Sequence, residues 1–327
     1  NATDTMLIDV PTLDLNGHAL SQQVASYAIE AATTADCVTV RNGVIRMPVT
    51  KGRSVDLRGK YNRVERLQCE GFDTLGLSVG AGSIVRDCRV SDGSAVEFGP
   101  DLLGIRAGIG SIILNSQVVD SQCGAGDAAG IRGSNGLIVA GCSVKGLSGG
   151  TCNGIWAEDA AVITDCRSDG NSGVGTVTGI RAGRGAVVVR CQADCNDSQN
   201  GIAVGDGSVV LDSGVRNPLT GVTAAEGCVI ARDTVHNTWN WGVDAGDGSV
   251  VRDCVLRDAG VRAGDGALVA KCVLRQSSGS YTLMQLGSGC YALENEVDGW
   301  ATGIAVTGSH SRVDNNYLTT PTDIDAT

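Results

Sequence analysis

The chain has 327 residues and a formal charge of −11, is 42% hydrophobic but only 3% aromatic, and carries 47 Gly against 5 Pro. An acidic balance of this size argues against nucleic acid as a partner, since phosphate is bound by clustered Lys and Arg. No run of roughly eighteen apolar residues is present to span a membrane as a helix, and Gly without a three-residue period or abundant Pro is not collagen.

In chain order, residues 6–20 (MLIDVPTLDLNGHAL) alternate apolar and polar side chains as a half-buried strand does, and Asn16-Gly17 is then a turn signal. Residues 37–45 (CVTVRNGVI) repeat that arrangement with Asn42-Gly43. From residue 76 the repetition is explicit: GLSVGAGSIVRDCRV (76–90), GIRAGIGSIILNSQV (104–118), GIRGSNGLIVAGCSV (130–144), GIWAEDAAVITDCRS (154–168) and GIRAGRGAVVVRCQA (179–193). At 242–274 the same sentence occurs twice in succession, GVDAGDGSVVRDCVL and GVRAGDGALVAKCVL. Each copy reads as a short apolar strand, a Gly-rich turn, a β-branched strand, a Cys and a third strand. A repeat of roughly 18 to 28 residues is the mark of a solenoid, in which each coil buries its inner face on its neighbours.

The segments LDLNGH, VTVRNGVI and NRVERLQC (62–69) resemble the opening of right-handed parallel β-helix proteins of the pectin-lyase-like superfamily. The expected fold is therefore all-β: a single-stranded right-handed parallel β-helix of about 13 to 14 coils, one domain over residues 1–327. The resemblance also implies an inner ladder of Asn. Here the ladder column reads Asn16, Asn42, Leu67, Cys88, Ser116, Cys142, Cys166, Cys191, Ser213, Asp233, Cys254, Cys272, Asn295, Asn316, so Cys and Ser replace its middle. These thiols are expected to be buried and to behave as small hydrophobes.

Zinc or redox chemistry would call for C-x-x-C pairs, and none occurs among the 13 Cys. Cys123 and Cys152, in the variable loops of successive coils, are the one pair placed for a disulfide. Lyases of the resembled superfamily use Ca²⁺-binding carboxylates with an Arg or Lys base, and its hydrolases use paired Asp. The chain lacks Asp-Asp, Gly-His-Gly, Arg-Ile-Lys, Trp-Ile-Asp-His and Asp-Pro-His. Lys60 with Arg63 and Arg66 is the residual lyase constellation. His18, His236 and His310 fall in distant coils, and Asp206, Asp247 and Asp265 read as solvated turn residues. No catalytic residue, metal or cofactor is assigned.

Variable Ser-, Gly- and Asp-rich segments separate the copies, long at 91–103 and nearly absent at 257–259, as surface loops at one corner of the solenoid do. In the recurring G-[IV]-x-[AV] the third residue should face solvent. Down the stack that column includes Arg106, Arg132, Trp156 and Arg181, a basic stripe on an acidic chain. It reads as a groove for an acidic polysaccharide, or as arginines paired with Glu158, Asp159 and Asp127 on a solvated or subunit-facing surface. The chain opens at Asn1, as a secreted protein does after its leader is removed, or as an excised fragment would. The leading expectation is a non-catalytic structural or adhesive protein, secreted or at the cell surface, whose uncapped end coils stack head to tail into filaments. The alternative is an acidic-polysaccharide-binding protein or lyase using the arginine face.

Overall fold

A computed structural model describes residues 6–8, 11–21, 27–31, 33–47, 52–95, 101–124, 126–195, 200–277, 282–299, 302–319 and 322–326. Among these every regular element is a β-strand, and no helix is long and apolar enough to cross a membrane. The chain divides into two compact units, Asn1–Arg181 and Ala182–Thr327, and each is a parallel β-helix.

In the first unit the strands Tyr27–Ala31, Arg53–Leu57, Leu75–Val79, Leu102–Ala107, Ala128–Gly133 and Cys152–Ala157 lie side by side, all parallel. Successive coils match like with like: Ile105 opposes Ile131, which opposes Ile155, and all three are fully buried. The second unit uses three short strands per coil. Val243–Ala245, Val250–Arg252 and Val255–Arg257 pair with Val261–Ala263, Leu268–Ala270 and Val273–Arg275. Stacked Val, Ile, Leu and Ala therefore make the core that so few aromatics could not.

The Gly that opens each copy is fixed by close approach. A Cβ on Gly130 would lie 2.3 Å from Val144 Cγ1 and 2.8 Å from the Gly154 carbonyl oxygen of the next coil. The corner between the second and third strands turns through one left-handed residue, such as Asp87, Asn115, Asp165, Asp253 or Lys271 (φ between 48° and 56°). Among residues with a side chain, Asp and Asn tolerate that conformation best. The ladder residue follows it and points inward.

This geometry corrects two expectations. Asn16 and Asn42 stand outside the buried ladder: both have left-handed φ, Asn16 is exposed, and Asn42 aligns with Arg66, one residue before the buried column. The Asn-Gly pairs mark the turn itself, and Gly43 occupies the inward position beside Leu67. The ladder thiols, moreover, are hydrogen-bonded rather than merely apolar. Cys88 N–H donates to Ser116 Oγ at 3.2 Å, and Ser116 N–H to Cys142 Sγ at 3.4 Å. Each thiol donates to a carbonyl two residues back: Cys88 to Arg86, Cys142 to Ala140, Cys166 to Thr164, Cys254 to Arg252 and Cys272 to Ala270. In the second unit Cys191 N–H donates to Ser213 Oγ, Ser213 to Asp233 Oδ1, Cys272 to Asn295 Oδ1, and Asn295 to Asn316 Oδ1. At the corner the backbone leaves the sheet ladder, and in these coils a polar side-chain atom of the next coil satisfies the amide so exposed.

A second ladder of the same kind occupies the first turn. Asn62 N–H donates to Ser83 Oγ, Ser83 to Ser111 Oγ, and in the other unit Cys228 to Ser249 Oγ and Cys290 to Ser311 Oγ. The sequence signal was the small residue that follows each Gly-x-Gly turn.

Candidate functional site

The outward column is in register as expected. Glu30, Asp56, Ser78, Arg106, Arg132 and Trp156 are successive partners on neighbouring strands of the first unit. Strand alternation turns Ile105, Ile131 and Ile155 inward and leaves the following residue on the surface.

Trp156 is the centre of the face. The Arg132 guanidinium lies 4.1 Å from its ring centroid and that of Arg181 lies 5.0 Å away, so two cations hold one indole between them. Arg106, Arg132, Trp156 and Arg181 are thus brought together on one surface. Arg132 has a long ion pair of 3.8 Å to Asp101, and neither Arg106 nor Arg181 has an ion pair among the described residues. The partners considered from sequence, Glu158, Asp159 and Asp127, do not fill that role for Arg106 and Arg181.

The same device recurs toward the N-terminal coils, where sequence reasoning missed it. The Arg53 and Arg58 guanidiniums stand 5.3 and 5.7 Å from the Tyr27 ring centroid and donate to its hydroxyl at 2.9 and 2.8 Å. Both also face Asp56, a carboxylate buried to 3% exposure, with Arg58 Nε at 2.8 Å. That contact raises the Arg58 pKa, chiefly by its hydrogen bond to Asp56. Arg58 lies two residues after Asp56 and so shares its face, which was the available signal. Arg53, Asp56, Arg58, Ser78 and Arg106 line a hollow of about 280 Å³. Around it and along the column, Arg53, Arg58, Arg106, Arg132 and Arg181 outnumber Glu30, Asp56 and Asp101.

The other candidates are placed apart. Arg63 and Arg66 turn toward buried Glu65, which also takes Arg86 at 3.0 Å, while the Lys60 backbone amide donates to Asp36 Oδ1. That ion-pair cluster holds its arginines on a carboxylate instead of presenting one as a base. Cys123 and Cys152 are buried and not joined by a disulfide, and Cys152 Sγ donates to the Ser172 carbonyl at 2.9 Å. His18 and His310 are exposed, and His236 lies in a strand with its pKa lowered by burial. Asp247 Oδ1 accepts from Asp265 N–H, and Asp265 Oδ1 from Ser288 N–H, so these turn acids serve as backbone caps. Among the described residues no cluster of three His, Cys, Asp or Glu is disposed to hold a metal.

The chain matches no protein-family profile and no curated protein. Among solved structures it is similar to a mutant of the periplasmic alginate epimerase AlgG, at 11% identity over 91% of this chain and 77% of that one, with a TM-score of 0.46. AlgG itself gives 12%, 89% and 77%, with a TM-score of 0.38. The A-module of the Azotobacter vinelandii mannuronan C-5 epimerase AlgE4 gives 11%, 97% and 90%, with a TM-score of 0.34. No chemistry is carried over from these likenesses.

Proposed function

We propose that this protein, secreted or displayed at a cell surface, binds an acidic polysaccharide along the face of Arg106, Arg132, Trp156 and Arg181. One observation carries the reading: Arg132 and Arg181 are stacked on Trp156, whereas other surface arginines, such as Arg41, Arg46, Arg232 and Arg275, sit on carboxylates. Stacking fixes the planar guanidinium but leaves its N–H edge for a bidentate carboxylate or sulfate. An anion arriving there meets donors already oriented, which lowers the entropy lost on binding. Strand neighbours are about 4.8 Å apart, so an extended chain running along the stack meets one such group per coil. The reading is of binding without bond cleavage, on the absence of the acid and base motifs sought above.

The test is titration with oligouronates and sulfated oligosaccharides, followed by calorimetry and Trp fluorescence. Binding should weaken about tenfold on Arg181→Ala or Arg132→Ala and fall as salt rises. Equal affinity in the Arg106→Ala, Arg132→Ala, Arg181→Ala triple variant would remove the proposal.

A further inference from the structure

The second unit contains a trough of different chemistry from the arginine face. Its origin is loop length. The corner Asp258–Gly260 is minimal, so it forms a floor between the longer corner Asn237–Trp241 on one side and Gln276, Ser277, Thr282 and Leu283 on the other. The half-open space is about 620 Å³, enough for a small ligand.

Trp239 stands on one wall with 72% of its surface exposed, on a segment held by backbone hydrogen bonds to both sides. Trp239 and Asn240 N–H donate to Pro218 and Leu219 carbonyls at 3.3 and 2.8 Å, and Thr238 N–H donates to the Asp258 carbonyl at 3.1 Å. The ring is thus carried on a fixed support. Trp241 packs over the floor, its Cε3 lying 3.2 Å from where a Gly260 Cβ would stand. Opposite, Gln276 is only 9% exposed and its Oε1 has no hydrogen-bond partner. The terminal amide torsion of Gln is soft, so a small rotation turns this acceptor to a donor entering the trough. Asn237, Asn240, Ser277 and Thr282 add neutral amides and hydroxyls, and the lining contains Asp258 but neither Lys nor Arg.

We infer that this trough binds an uncharged saccharide, with a pyranose ring stacked on Trp239 and its hydroxyls taken up by Gln276 and the neighbouring amides. An exposed planar ring supplies apolar contact to the C–H face of a sugar, and the unpartnered Gln276 Oε1 accepts from one of its hydroxyls. The acidic floor disfavours uronates and sulfates, so this site and the arginine face select different ligands, and neither depends on the other.

The experiment is saturation-transfer NMR and calorimetry of the whole chain with maltohexaose, cellohexaose, mannohexaose and xylohexaose, beside an oligouronate. At least one neutral hexasaccharide should bind, with affinity unchanged between low and high salt. Trp239→Ala should weaken it about tenfold and Trp239→Phe should retain most of it. Gln276→Leu should weaken it severalfold, whereas Arg181→Ala should leave it unchanged. Trp239 is exposed, so its variants are decisive even if Gln276→Leu does not fold. No binding of any neutral hexasaccharide, or wild-type affinity in Trp239→Ala, would overturn the inference.

Discussion

The backbone amide of Ser213 donates to Oδ1 of Asp233 at 2.6 Å, and Oδ2 of the same carboxyl is buried with no partner. Asp233 is 1% exposed, and burial is the main reason its pKa is raised to about 7 from 3.8. The folded state thus holds this proton more tightly than the unfolded chain. Its stabilising contribution is complete below about pH 3.8 and is lost as pH rises through about 7. At ~1.4 kcal/mol per pKa unit the loss is at most about 4 kcal/mol. Asn295 shows what an amide does in this column: Oδ1 accepts from Cys272 N–H and Nδ2 donates to the Val269 carbonyl. Asp233→Asn should therefore be more stable than wild type above neutrality and closely matched to it in acid. Urea unfolding at acidic and alkaline pH checks this, and a stability difference independent of pH would contradict it.

The ladder thiols should be shielded. Of the 13 cysteines, Cys37 alone is exposed. A thiol reagent without denaturant should therefore label one position, and Cys37→Ser should abolish that labelling. Burial also pushes the Cys88 thiol up to about 11, away from the reactive thiolate. Rapid native labelling of Cys142 or Cys166 would refute the packing. Cys166→Leu should cost about 1–3 kcal/mol by overpacking, whereas Cys166→Ser, which keeps a donor for the Thr164 carbonyl, should cost less.

Glycines should separate into two classes. Gly130→Ala forces a methyl against backbone and Val144, and should cost about 1–3 kcal/mol. Gly214 has nothing within 4 Å of an added Cβ, so Gly214→Ala should be neutral or slightly stabilising. Thermal melts of the two variants suffice, and equal destabilisation would count against the close approach at Gly130.

The outward column from Arg106 to Arg181 was legible in the sequence because each coil restates the same spacing, and a period of two then fixes the face. The ladder was legible only where the copies are strict. At Asn16 and Asn42 the strong Asn-Gly signal drew the alignment onto the turn, one residue from the buried column. Tyr27, Arg53 and Arg58 were missed because their coils lack G-[IV]-x-[AV], so no template assigned them a face. Hydrogen bonding by the thiols was hidden for another reason: Cys is small and apolar by composition, and only the corner geometry places Sγ beside a carbonyl.

The doubled coil of the second unit has a consequence for growth. Arg262 meets Asp244 18 residues earlier, and every strand in that pair of coils meets its own counterpart with no loop left over. A gene segment encoding one such coil, copied in place, would lengthen the stack by one strand spacing, about 4.8 Å, and present the same faces again. A copy one residue shorter would turn core side chains to water. Extension of this unit is therefore quantised, so that evolution or an engineer can adjust its reach by counting coils.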